Sequence, residues 1–126
     1  MEFIEIIKKA LESVSQLDIG REHFRRVNIT FEIIPTGEHP IYLTVNGGKF
    51  NVDNRKPMIN HPDDMVPLRA SEETFREIFQ GKLRIVDASF DKDLIAPVYG
   101  KYSYLMAWLA RLLRIAHRTP LLEHKY

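Results

Sequence analysis

The chain has 126 residues, of which 44% are hydrophobic and 28% charged, with 18 Lys and Arg against 17 Asp and Glu. These values describe one globular domain, residues 1–126, with a single core, and exclude a disordered chain, a collagen and a coiled coil. The absence of cysteine excludes a disulfide framework, a cysteine nucleophile, a thiolate zinc site and a cysteine-ligated iron–sulfur cluster.

Residues 3–17 place Phe3, Ile4, Ile6, Ile7, Ala10, Leu11, Val14 and Leu17 on one helical arc and Glu5, Lys8, Lys9 and Glu12 on the other. That is an amphipathic helix, ended by Gly20 directly or after a short extension. Residues 21–26 suit one further helical turn. The period then changes to two. Val27, Ile29, Phe31 and Ile33 alternate with polar residues, as do Ile41, Leu43 and Val45 and then Phe50 and Val52. Asn46-Gly47 is a strong hairpin signal, because both central residues of a type I′ turn need positive φ. Three antiparallel strands are expected over 27–53. Met65–Ala70 reads as a fourth strand, with Pro67 placing it at an edge or a bulge.

Ser71 is an expected N-cap, followed by Glu72 and Glu73 where the helix dipole favours acids. Phe75, Ile78 and Phe79 give the apolar stripe and Gly81 the stop. Val86–Phe90 suits a short helix. Leu94–Tyr99 is the expected fifth strand, at an edge because of Pro97. Tyr102–Arg118 is a helix stopped by Pro120, with a short tail at 118–126. Its apolar residues (Leu105, Met106, Trp108, Leu109, Leu112, Leu113, Ile115, Ala116) cover about half the circumference, against the ~100° stripe that covering a sheet requires. Two explanations stand: deeper burial or a packed dimer, and a lipophilic cavity or a membrane contact.

The sequence holds no phosphate loop, no Gly-x-Ser-x-Gly elbow and no His-Glu-x-x-His pair. His61 with Asp63 and Asp64, helped by His39, has the chemistry of a hard-cation site. The same residues make an ordinary polar turn at Pro62-Asp63-Asp64, which is the preferred reading. Asp91 and Asp93 flank Lys92 as a solvated turn rather than an acid–base pair. No catalytic residue, metal or cofactor is expected. Arg21–Arg26 interleaves basic and aromatic residues, but a net charge near zero argues against nucleic acid as a partner. Residues 101–126 are basic: Lys101, Arg111, Arg114, Arg118 and Lys125 oppose Glu123 alone. That bias points weakly to anionic partners or a membrane surface. With Glu2 and Glu5 inside the first apolar pattern and no apolar run long enough to span a bilayer, a cytoplasmic location is expected.

The order of these elements resembles the sterol carrier protein-2 lipid-binding family. The residues that carry the resemblance are Ile41-Tyr42-Leu43-Thr44-Val45-Asn46-Gly47-Gly48-Lys49 and Ala70-Ser71-Glu72-Glu73-Thr74-Phe75-Arg76-Glu77-Ile78-Phe79-Gln80-Gly81-Lys82-Leu83. A looser match runs through Ala88-Ser89-Phe90, Leu94-Ile95 and Tyr99-Gly100 to Leu112-Leu113, so about residues 1–118 are covered. Arg84-Ile85-Val86-Asp87 stands where the family usually has a proline. Lacking a peroxisomal tail, the sequence looks like the stand-alone prokaryotic members. The resemblance implies an α+β fold: a five-stranded, mostly antiparallel sheet covered on one face by helices. It also implies an apolar tunnel for a sterol, fatty acyl chain or other lipid, bound without catalysis and open to transfer. By residue type and position the walls would be Phe75, Ile78 and Phe79 from one helix and Leu105, Met106, Leu109, Leu112 and Leu113 from the other, with Phe31, Leu43 and Phe90. The alternative is an interaction module that packs its apolar C-terminal helix on an enzyme partner or a second copy.

Overall fold

The computed structural model describes residues 1–117; Arg118 and the tail at 118–126 lie outside the described residues. The elements run α1 (Phe3–Ser15), α2 (Asp18–Phe24), β1 (Ile29–Pro35), β2 (Ile41–Asn46), β3 (Lys49–Asp53), a 3₁₀ turn (Pro62–Asp64), β4 (Met65–Ala70), α3 (Glu72–Phe79), α4 (Ile85–Asp91) and α5 (Lys101–His117).

Gly20 does not end a helix. It lies inside α2, where an added Cβ would come within 1.9 Å of the Val14 carbonyl oxygen. Its missing side chain lets α2 pack directly on the end of α1. The β2–β3 turn is centred one residue later than Asn46-Gly47. Asn46 pairs with Lys49, and Gly47 and Gly48 take the two positive φ values, 60° and 80°. Glycine adopts that conformation at less cost than asparagine.

The sheet order is β3-β2-β1-β4. It has four strands rather than five, and it is mixed: β1–β2 and β2–β3 are antiparallel, but β4 runs parallel to β1. Alternation along a strand marks its faces and not its partner's direction. The expected fifth strand survives as one bridge, in which Arg69 and Ile95 exchange both backbone hydrogen bonds at 3.0 and 2.8 Å. Register explains the truncation. Two residues along, Pro67 would face Pro97, and neither has an N–H to donate. In the other direction Ser71 donates its N–H to the Asp93 carboxylate at 3.0 Å instead of to a backbone carbonyl.

One face of the sheet carries Phe31, Ile33, Leu43, Val45, Val66 and Leu68, all buried in the core. The opposite face is more polar: the Thr30 and Thr44 hydroxyls bond at 3.1 Å, and the Tyr42 hydroxyl donates to Glu32. α5 packs on α1 and α2 and sends Trp108 onto the sheet, its ring stacked on Phe31 with centroids 5.9 Å apart. The width of the apolar arc on α5 follows from that central position. Leu105, Met106, Trp108, Leu109, Leu112, Leu113 and Ile115 are all buried within the described chain.

α3 is closed at both ends as its sequence requires. The Ser71 hydroxyl accepts from the Thr74 N–H at 3.2 Å. At the other end Lys82 N–H donates to Glu77 O and Gly81 N–H to Ile78 O, with Gly81 at φ 79°. These two bonds form a Schellman cap.

Candidate functional site

α3, α4, α5 and β4 enclose a small apolar cavity of about 10 Å³. α3 contributes Phe75, Ile78 and Phe79, and α5 contributes Met106 and Leu109. Leu68 comes from β4, Ile85 from the first turn of α4, and Leu94 from the segment that leads to the Arg69–Ile95 bridge. No polar atom lines this space.

Five of the eleven sequence-predicted wall residues meet at this cavity: Phe75, Ile78, Phe79, Met106 and Leu109. Phe31, Leu43, Leu105, Leu112 and Leu113 are buried in the surrounding core and do not border it. Phe90 is different. It is 83% exposed, on the far side of α4 from Ala88, the buried residue of that helix. Two residues along a helix is about 200° of rotation, so burying Ala88 turns Phe90 outward. Sequence reading missed Leu68, Ile85 and Leu94. Leu68 was legible from the Val66/Leu68 alternation; Ile85 and Leu94 lie in short segments with too few apolar positions to define a period.

A second space, a groove of about 330 Å³, lies where α1 passes the ends of α3 and α5. Ile6, Ala10, Phe79 and Ala116 give it apolar walls, and Lys9, Ser13, Gln80 and His117 give it polar ones. Small-molecule sites commonly measure ~300–1,000 Å³, so the groove is of that size and the inner cavity is far below it. Phe79 borders both spaces. Its ring meets Phe3 edge-on at 6.3 Å, and its carbonyl accepts from His117 Nε2 at 3.0 Å.

The titratable residues singled out in the sequence are placed elsewhere. Asp63 accepts from the Tyr102 hydroxyl at 3.5 Å and lies 4.0 Å from the Lys101 ammonium. His39 donates to the Asn54 carbonyl at 2.8 Å. Among the described residues no three His, Asp or Glu side chains gather as metal ligands. Asp93 caps α3 with Ser71. Hydrogen bonds from Thr74 and Ser71 hold its carboxyl below the ordinary aspartate value.

The fold is of the α+β class in which helices close an apolar space against one face of a sheet. Among solved structures it is similar to the crystal structure of sterol carrier protein 2, with a TM-score of 0.58 over 91% of this chain and 95% of that one, at 8% sequence identity. The chain therefore has a sterol carrier protein 2-like fold. No protein-family model and no curated protein matches the sequence. Among the described residues no helix is long and apolar enough to cross a membrane.

Proposed function

We propose that this chain binds an amphiphilic lipid without catalysis. The apolar part lies in an enlarged form of the inner cavity, and the polar end lies in the groove beside Lys9, Ser13, Gln80 and His117. The observation that carries this reading is Phe79, a residue that borders both a groove of ligand size and a wholly apolar interior. A rotamer change there would join the two spaces. The sterol carrier fold supports the ligand class. Burial of apolar ligand surface supplies the driving force, at roughly 25 cal/mol per Å² before the costs of association.

Enlargement is easiest on the α4 side. α4 buries only Ala88 fully among the described residues, and the segment after it pairs with the sheet through a single bridge. Val86, Phe90, Ile95, Val98 and Tyr99 are exposed on α4 and that segment. They give the chain an apolar surface for brief contact with a membrane during transfer.

Native mass spectrometry of the purified protein, followed by organic extraction, tests the reading. A near-stoichiometric lipid is expected. Phe79→Leu is expected to take up a fluorescent fatty acid faster than the parent. A protein that co-purifies with no lipid and takes up neither fatty acids nor sterols, with or without that substitution, would sink the proposal.

The exposed apolar residues favour a second reading, an interaction module. A second copy or a partner enzyme would then cover α4 and residues 95–99 rather than the buried arc of α5. Light scattering distinguishes it: an empty dimer that Phe90→Ser returns to a monomer supports this reading.

A further inference from the structure

The contact that ties α2 to α5 leaves two buried polar atoms unsatisfied. His23 Nε2 lies 2.8 Å from the carbonyl oxygen of Trp108. A carbonyl only accepts, so Nε2 carries the proton and the neutral ring presents a bare lone pair at Nδ1. His23 is 2% exposed, and no donor reaches that nitrogen. Arg111 has the opposite deficit: its Nε–H is buried and meets no acceptor. A buried polar group left without a partner is destabilising. The unsatisfied donor and the unsatisfied acceptor are complementary in chemistry.

Positive charge collects at the same place. The charges acting most strongly on the His23 imidazole are those of Arg111 and Arg114 on α5 and of Arg26, just past α2. Among the described residues Arg21, Arg25, Arg55, Arg76 and Arg84 each make an ion pair. Arg26, Arg69, Arg111 and Arg114 make none; Arg69 lies on β4, and the other three are those that act on His23. Arg111 and Arg114 are three apart on one helix face, and Arg26 follows His23 in the turn that ends α2.

We propose that Arg26, Arg111, Arg114 and His23 form a binding site for a phosphate group, either free or carried by a lipid. Phosphate oxygens accept from the guanidinium groups, the Arg111 Nε–H among them. The hydroxyl of a singly protonated phosphate donates to His23 Nδ1. A carboxylate would satisfy the arginines and leave that nitrogen bare. The site is separate from the inner cavity, since Arg111 lies about 200° around α5 from the cavity-lining Leu109, and it does not depend on the lipid-cavity reading.

Trp108 is the sole tryptophan and stacks on His23 with ring centroids 4.7 Å apart, so it reports on this site. The test is a titration of the full chain with inorganic phosphate, with chloride at equal ionic strength as control. Trp108 fluorescence and the NMR signals of its indole N–H and of Arg111 Nε–H are followed. Saturable shifts with phosphate are expected, weakened about tenfold by Arg26→Gln or Arg114→Gln. Both of these side chains are exposed, so the variants are expected to fold; Arg111→Lys, which keeps the charge and loses the Nε–H, is the third. Phosphatidylcholine vesicles with and without phosphatidic acid separate the sources. Arginine-dependent binding to the acidic vesicles, competed by inorganic phosphate, assigns a lipid-borne group; response to inorganic phosphate alone assigns a free anion. No saturable response to either, as when a water satisfies both orphaned atoms, overturns the proposal. So does a response that Arg26→Gln and Arg114→Gln leave unchanged.

Discussion

Around Trp108, the imidazole of His23 and the ring of Phe31 stack on the indole, Phe24 tilts against it, and the indole N–H donates to the His23 carbonyl at 2.9 Å. Around Leu94, at the small cavity that Met106 and Leu109 of α5 also line, the surroundings are one isolated bridge and an α4 that buries Ala88 alone. Both regions join α5 to the rest of the fold. The first is fixed by packing and hydrogen bonding together, so few rearrangements keep its contacts. The second is fixed by few interactions, and low local stability is what a region that must open around a ligand requires. On the proposed function, the stable half carries the geometry and the weaker half would carry the motion.

Substitution in each region sharpens this contrast. Trp108→Ala removes three ring contacts and a buried hydrogen bond, and a loss of about 3–5 kcal/mol is expected. Leu94→Ala is expected to cost nearer 2 kcal/mol, because its surroundings are already incompletely filled and can collapse. Urea unfolding of the two variants measures both. A Leu94→Ala loss equal to that of Trp108→Ala would remove the distinction between the two regions.

Much of the stable half is legible in the sequence. The period-two runs through Phe31 and Leu43 give the buried sheet face, and Ser71, Phe75 and Gly81 bound α3 to within a residue. The sequence conceals what depends on partners far along the chain. His23 and Trp108 meet across 85 residues, and neither residue type announces the other. Pro67 and Pro97 each suggest an edge, but only the observed register shows that they oppose each other and stop the fifth strand. Phe90 misleads because α4 is too short for its period to show which face is buried. The cavity is half legible: its α3 and α5 walls come from helices whose apolar stripes show in the sequence, and its Ile85 and Leu94 walls come from segments with too few apolar positions to show one.

His23 gives the stable half a pH dependence. Burial, followed by the charges of Arg111, Arg26 and Arg114, pushes its pKa below the ordinary value of 6.5, although its bond to the Trp108 carbonyl acts in the opposite sense. Above 6.5 the ring is neutral in both folded and unfolded chains, and its contribution to stability is fully present. As pH falls below 6.5 the unfolded chain takes up a proton that the folded chain resists, so stability declines toward the lower folded value. His23→Gln retains an N–H donor for the Trp108 carbonyl and loses the titration. Its urea midpoint is expected to fall less than the parent's between pH 7.5 and 5.5. An equal fall in both proteins would place the pH dependence on other groups.

The smallest effect expected is at the junction of the weaker half with α3. Ser71 caps the helix through its hydroxyl and gives its own N–H to Asp93, so one residue joins the helix start to the segment that would move. Ser71→Ala is expected to cost about 1 kcal/mol, the usual value of an N-cap. Asp93→Asn keeps the volume and weakens the acceptor, and a smaller loss is expected. If the two residues work as one unit, the double variant loses less than the sum of the singles. Amide exchange in α4 should then speed up in Asp93→Asn while the amides of α5 near Trp108 keep their protection. Faster exchange at both places would mean that the two halves open together, and a cavity that enlarges by local motion at α4 would have to be abandoned.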